Sequence, residues 1–270
     1  MCELYGMSSS APVGIESALL RFRQRGGAEA DNPDGWGLAY HDCSGTQPNA
    51  FQIVKETTSA CGSRLLTRLA NKMNTDLLIG HVRKARHPAI VNYLNTHPFM
   101  HHCCKKEWVF AHNGLVPSIL LADETRLRGT CVPAGLTDSE HAFCHLLDRI
   151  AQGFDALLTD PTAWFDSVAN RAEWITSLGQ FNFLLSDGAH LIAYGHDRLH
   201  VLVSGINGTR LVQISTEPLT DEPWQAFRAG ELRVYRNGSL LTRAETTPVP
   251  VDPQSIAFDA ADTAGHQCEV

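Results

Sequence analysis

Apolar positions along the chain change their period several times, and each change marks a predicted element. Cys2 to Met7 alternates as a short strand, which Ser8-Ser9-Ser10-Ala11-Pro12 is expected to break. From Gly14 to Arg25 the spacing turns helical, with Ile15, Ala18, Leu19 and Phe22 on one face and Gly26-Gly27 as the exit. A polar loop over 28–34 turns at Asp34-Gly35 into a strand that starts with Trp36. Phe51–Lys55 reads as another strand, and Ser59–Met73 as a helix with Leu65, Leu66, Leu69 and Met73 on one side.

Two runs, Asp76–Arg83 and Glu107–Gly114, are apolar on both faces and end in polar residues. Strands of that kind are central in a sheet, so both deliver functional groups at their carboxyl ends. Thr137-Asp138-Ser139-Glu140 is a capping box opening an amphipathic helix through Ile150, and a second helix is expected over 160–178. Beyond Gly179 short strands follow one another at 181–186, 190–194, 200–204, 211–215, 232–236 and 239–241, with hairpin turns at Asp187-Gly188 and Asn237-Gly238. Strands enough for two sheets, with two helical pairs between and around them, predict a layered α+β sandwich. The pattern does not order the strands. Pro248, Pro250 and Pro253 separate a C-terminal tail, 248–270, from a domain over 1–247.

Composition narrows the function classes. Of 270 residues, 43% are hydrophobic and 19% charged, the balance of a globular chain with a deep core. A net charge of −7 leaves no basic surplus for a phosphate backbone, so no nucleic-acid partner is expected. No apolar run approaches the roughly 18 residues that would span a bilayer, and the start lacks the basic-then-apolar order of a signal peptide. The expected location is the cytoplasm, with no membrane partner. The 8 cysteines are scattered, which together with that location predicts reduced thiols. Met100-His101-His102-Cys103-Cys104, with His97 and Cys131 as additions, is the one metal candidate. Adjacent ligands converge poorly on one ion, so the run reads as a hairpin loop and no metal is expected. Glycine-rich phosphate loops are absent too, so no cofactor is expected.

The candidate chemistry begins at Cys2. A small residue after Met1 favours removal of the initiator, which would leave a cysteine carrying its own free amine. The reference pKa values of an α-amine, about 7.7–8.0, and a thiol, about 8.5, let the amine act as base for the sulfur. Cys2, Arg25-Gly26, Asp34-Gly35-Trp36-Gly37, Gly80-His81-Val82-Arg83, Asn95-Thr96-His97-Pro98-Phe99 and His112-Asn113-Gly114 occur in that order. Together they resemble the class II glutamine amidotransferase domain, an N-terminal nucleophile hydrolase with a four-layer αββα sandwich. Ser215-Thr216-Glu217-Pro218-Leu219-Thr220-Asp221 with Trp224 is similar to the stand-alone YafJ-type and γ-glutamyl amidase branch.

The resemblance covers roughly residues 1–245 and implies roles. Cys2 would attack a γ-carbonyl and form a γ-glutamyl thioester; the Asn113 amide and the Gly114 N–H would hold the oxyanion. Arg83 would clamp the substrate carboxylate, Asp138 its ammonium, the loop ending at Trp36 would close over the substrate, and His97 would support the pocket. It implies a small-molecule substrate, glutamine or a γ-glutamyl compound, and an ammonia-accepting partner subunit if ammonia is passed on. Arg83-Lys84-Ala85-Arg86-His87 departs from the synthases of the class, which leaves a γ-glutamyl peptidase open. A silent binding subunit that retains Met1 is open as well. By residue type alone, Asn113-Gly114 is also a hairpin turn, Asp138 a helix cap, Arg83 a surface charge and Trp36 a core residue.

Overall fold

The computed structural model describes residues 1–43, 50–86, 88–123, 131–153 and 163–250. In chain order its elements are β1 (Glu3–Gly14), α1 (Glu16–Gln24), β2 (Trp36–His41), β3 (Phe51–Glu56), α2 (Arg64–Lys72), β4 (Asn74–Val82), β5 (Phe99–Cys103) and β6 (Lys106–Leu115). They continue as α3 (Ile119–Asp123), α4 (Asp138–Gln152), α5 (Ala163–Thr176), β7 (Gln180–Ser186), β8 (Leu191–Gly195), β9 (His200–Ile206) and β10 (Thr209–Ser215). Last come β11 (Gln225–Ala226), β12 (Glu231–Arg236) and β13 (Ser239–Glu245).

Two antiparallel sheets lie face to face. One orders its strands β11-β9-β10-β1-β4-β2-β3 and the other β13-β12-β8-β7-β6-β5. Side-chain alternation divides the core into three layers. Leu4, Ile79, Val109, Ala111 and Leu184 fill the space between the sheets. On the outer face of the first sheet, Tyr5, Met7 and Leu78 meet Leu19 and Phe22 of α1 and Leu66 of α2. Trp108, Phe110 and Phe183 on the outer face of the second meet Phe143 and Leu147 of α4 and Val168 of α5. Helix, sheet, sheet, helix is the αββα sandwich. Each large apolar side chain buried in these layers stabilises by about 1.5–3 kcal/mol.

β4 and β6 lie inside their sheets, as runs apolar on both faces should. Thr137 caps α4, its hydroxyl accepting the Glu140 N–H at 3.2 Å. The Phe110 and Phe143 rings stack 4.9 Å apart and 8° from parallel. Such a pair adds about 0.5–1.5 kcal/mol beyond its buried area, and here it fixes the first half of α4 against β6.

Several expectations are corrected. β1 does not stop at Ser8 but runs to Gly14, because β4 pairs with it again at Val13 and Gly14 after a register shift. A bulge absorbs the residues that looked like a break. Met100–Cys103 is strand β5, paired to β6 from Phe99↔Phe110 to Cys103↔Lys106, and only Cys104 and Lys105 turn. Asn113-Gly114 is no hairpin turn; both residues sit within β6, opposite Asn182 and Phe181 of β7. The thiols are not all reduced: Cys131 and Cys144 form a disulfide, their Cα atoms 5.1 Å apart. That separation is within bridging range and arises because the segment before α4 folds back onto the helix. The start of the helix expected at 160 and the tail beyond 250 lie outside the described residues. No helix among those described is long and apolar enough to cross a membrane.

Candidate active site

The register of β1 against β4, Glu3 opposite Val82, sets Cys2 beside the exit of β4. Its Sγ accepts the Lys84 N–H at 3.2 Å and donates to the Lys84 carbonyl at 3.4 Å. Burial pushes the thiol up, against the opposing pull of the Lys84 N–H and the N-terminal ammonium. The Met1 ammonium, in turn, is pushed down by burial. With Met1 in place the thiol is therefore held protonated.

What keeps the start of the chain in position is the Ser215-Thr216 pair at the end of β10. The Ser215 hydroxyl donates to the Leu4 carbonyl at 3.1 Å, and Thr216 Oγ1 accepts the Leu4 N–H at 3.2 Å while donating to Glu3. Arg198 joins Glu217 at 2.5 Å and Glu3 at 3.5 Å. A terminus held by so many bonds does not fray in the usual way.

From the other sheet, Asn113 Nδ2 donates to the Cys2 carbonyl oxygen. Asn182 Nδ2 donates to the Asn113 carbonyl at 3.3 Å, and its Oδ1 gathers the N–H groups of His196, Asp197 and Arg198 at 2.8–3.1 Å. Asn182 is buried and anchors this corner, a role the sequence did not single out. Gly114 has φ +152°, and a Cβ there would lie 1.9 Å from the Gln180 carbonyl. Only glycine fits this backbone.

Arg83 is 4% exposed, and its backbone is clamped by the 34–35 turn: Arg83 N–H to Gly35 O at 2.8 Å, Asp34 N–H to Arg83 O at 3.0 Å. Among the described residues its Nη1 is buried without a partner. Burial lowers the guanidinium pKa, while Cys2 and Asp34 pull the other way. Asp138 lines the same cleft, 3% exposed. Its Oδ2 accepts the Val116 N–H at 2.6 Å and its Oδ1 the Ser139 N–H at 2.8 Å. Because Thr137 already caps the helix, Asp138 is not needed for that; a carboxylate has about four acceptor sites, so these bonds leave acceptor capacity even with the Ser139 hydroxyl 3.3 Å from Oδ1.

Three imidazoles back the site. His97 rests 4.2 Å from the His81 ring and 4.3 Å from the Phe99 ring, and neither of its ring nitrogens has a partner among the described residues. Burial, reinforced by the neighbouring His81 and His112, holds it well below the usual imidazole range. Burial likewise pushes His81 down to about 3, and lowers His112. His112 Nε2 faces the Gln180 carbonyl at 3.1 Å, so Nε2 carries the proton and Nδ1 accepts from the Ser139 hydroxyl at 2.9 Å. All three rings are neutral near pH 7.

The cleft these groups line offers about 40 Å³ of open volume, with Met1, Lys84 and Arg86 at its rim. Cys2, Arg83, His97, Gly114 and Asp138 converge on it, and Asn113 reaches the Cys2 backbone. Trp36 does not join them. It is buried in the core under α1 and α2, 1% exposed, with Nε1 donating to Glu56 at 3.0 Å. Besides Asn182, sequence reasoning missed Gln180, Ser139 and the Thr216–Glu3 tether; His112 stood in a quoted motif without a role.

A half-buried cysteine just before the first strand of an αββα sandwich, lining one cleft with an arginine and an aspartate, fits the class of N-terminal nucleophile folds. The pattern of class II glutamine amidotransferases matches residues 1–206, and the chain belongs to that family. It is 32% identical to an uncharacterised Methanocaldococcus jannaschii protein, over 89% of this chain and 71% of that one. It is 30% identical to Escherichia coli YafJ, provisionally named a glutamine amidotransferase, over 89% of this chain and 100% of YafJ. The crystal structure of a predicted glutamine amidotransferase from Pseudomonas aeruginosa superposes with a TM-score of 0.63 at 25% identity, covering 89% of this chain and 100% of the other.

Proposed function

We propose that this chain, once Met1 is removed, is an N-terminal-cysteine amidohydrolase acting on the γ-amide of glutamine or a γ-glutamyl compound. The α-amine then belongs to Cys2 and takes the thiol proton. The sulfur attacks the γ-carbonyl carbon, the oxyanion is met by Asn113 Nδ2 and the Gly114 N–H, and the C–N bond breaks as the amine leaves with a proton. Water, or an acceptor amine, then cleaves the thioester and regenerates the thiol. Arg83 and Asp138 hold the α-carboxylate and α-ammonium at the far end of the substrate.

The observation that carries this reading is that Arg83, whose Nη1 is buried without a partner among the described residues, lines the same cleft as Cys2 and Asp138. A buried guanidinium N–H without an acceptor costs free energy that a bound carboxylate would repay. Arg86 at the rim favours a second reading, hydrolysis of a γ-glutamyl peptide whose own terminal carboxylate it would attract, with no transfer of ammonia; Lys84 beside it is already paired to Asp31 at 2.8 Å. In the first reading a partner subunit could take the ammonia.

Intact-mass measurement before and after treatment with a glutamine-like diazoketone tests the chemistry. The expected result is a chain without Met1 that gains one adduct, at Cys2, and the adduct and all turnover vanish in Cys2→Ala but persist in Cys103→Ala. A chain that keeps Met1 and stays unlabelled, or equal loss in both variants, overturns it. Ammonia release from glutamine compared with glutamate release from γ-glutamyl peptides then separates the two substrates.

A further inference from the structure

On the far side of the second sheet, β5, α4 and the segment leading into α4 enclose a group of sulfur and nitrogen atoms that the active-site chemistry does not use. Strand alternation turns His101 and Cys103 of β5 toward α4 and sends Met100 and His102 outward. The adjacent residues that looked unable to share an ion are thus separated by the pleat. His101 is joined instead by two cysteines distant in sequence. A ring nitrogen of His101 and the sulfurs of Cys131 and Cys144 all lie within 4.8 Å of one another. Cys131 is 6% exposed and Cys144 fully buried.

We infer that His101, Cys131 and Cys144 form a binding site for a thiophilic divalent cation, zinc by ligand chemistry, which fills when the Cys131–Cys144 bond is reduced. Two thiolates and an imidazole are the donor set that zinc prefers over harder ions. Bond lengths of about 2.3 Å to sulfur and 2.0–2.1 Å to nitrogen place tetrahedral ligand atoms roughly 3.3–3.8 Å apart. Small side-chain rotations reach that spacing from the arrangement observed. The surroundings also resemble those of a metal-bound histidine, which commonly gives its second nitrogen to a carboxylate. Glu140 Oε1 lies 2.9 Å from His101 Nε2, and the Glu140 carboxylate is itself fixed by the N–H groups of Ala134 at 3.0 Å and Gly135 at 2.7 Å. With His101 held in this way, three protein ligands leave a fourth position for water.

Filling the site takes two balanced steps. A low-molecular-weight thiol or phosphine supplies two electrons and the disulfide takes up two protons, giving two free thiols and the oxidised reductant. Zinc then binds both sulfurs and releases those two protons. The ion would tie β5, the segment from Cys131 and α4 together. The first turn of α4 and its cap carry Thr137, Asp138 and Ser139 into the catalytic cleft, so the brace sits directly behind the substrate clamp.

Cobalt(II) reports such a site by spectrum. The full chain, reduced with a phosphine and freed of it under nitrogen, is titrated with cobalt(II). One equivalent is expected to bind, with visible bands of a tetrahedral ion and near-ultraviolet sulfur-to-cobalt charge transfer, and one equivalent of zinc is expected to erase both. Cys131→Ser, whose residue precedes the helix, should remove about half the charge-transfer intensity while circular dichroism confirms the fold; Cys103→Ala should leave the spectrum unchanged. Cys103 is a fair control because its sulfur is directed at the Leu147 carbonyl, 3.7 Å away, and at Cys104. Absence of charge-transfer bands in the reduced wild type, a disulfide that resists reduction as judged by alkylation mass, or an unchanged spectrum in Cys131→Ser would each overturn the proposal.

Discussion

The same strands carry two clusters of charged and polar groups, one at each end, and the two are built differently. β1 begins at the Cys2 cleft and passes Ser8 at the other; β4 runs from Asp76 toward Arg83; β6 runs from Lys106 to Asn113 and Gly114. At the far end the charges satisfy one another. Lys106 reaches Asp187 at 2.5 Å, His190 adds a bond at 3.1 Å, and His41 meets Asp76 at 2.8 Å; His41 Nε2 is the atom left over. At the Cys2 end Arg83 Nη1, both nitrogens of His97 and Asn113 Oδ1 are buried without partners among the described residues. Burying unpaired polar groups costs stability. The far groups are therefore compensated by pairing within each sheet, whereas the near ones carry a cost that the proposed substrate would offset.

The contrast can be broken by substitution. The largest effect is expected from Asn113→Ala, which removes one donor to the proposed oxyanion. A drop in kcat of about 10²–10³-fold, equivalent to about 2.7–4 kcal/mol, is expected with little change in melting temperature; a change below tenfold would remove Asn113 from the chemistry. Arg83→Met should act next, raising KM through loss of about 1.5–3 kcal/mol of charge-assisted bonding. Because the guanidinium Nη1 has no partner among the described residues, the variant should be no less stable than the parent in denaturant unfolding. A stability loss larger than the loss of affinity would mean that Arg83 is structural.

Asp187→Asn is expected to show the smallest effect on turnover and the reverse profile. Burial alone would raise the Asp187 carboxyl, but His190 and Lys106 outweigh it and hold it well below the usual carboxylate range. A depressed folded pKa adds stability that is present above the unfolded value of about 3.9 and is lost as pH falls toward the folded one. Unfolding measured between neutral pH and about pH 3 should show the parent losing stability below about pH 4. The variant should start about 1–3 kcal/mol lower and fall less steeply, with turnover near neutral pH unchanged. Equal acid sensitivity in both proteins would show that the far cluster is not what holds that end.

Local pattern reached as far as local physics does. β4 and β6 were legible because a strand covered on both sides must be apolar on both, and the α4 terminus because Thr137 and Glu140 stand three residues apart. The continuation of β1 past Ser8 was not, since it depends on the second pairing with β4 at Val13 and Gly14. β5 was hidden for a related reason: its inward residues include His101 and Cys103, which look polar until α4 is laid over them. Trp36 reads equally as a pocket wall and as core, and the fold puts it in the core beside Phe22.

By itself the sequence determined strands enough for two sheets and the helices that accompany them, through the two periods of its apolar residues, and the order of the motifs behind Cys2; the four-layer arrangement followed from the resemblance those motifs carry. Only the tertiary structure decided which polar groups meet. Cys2 faces Arg83 because β1 and β4 pair in one particular register, Asn113 reaches Cys2 from the opposite sheet, and Cys131 meets Cys144 and His101 across a helix and a strand. Contacts of that kind depend on packing between elements distant in the chain, which periodicity does not encode.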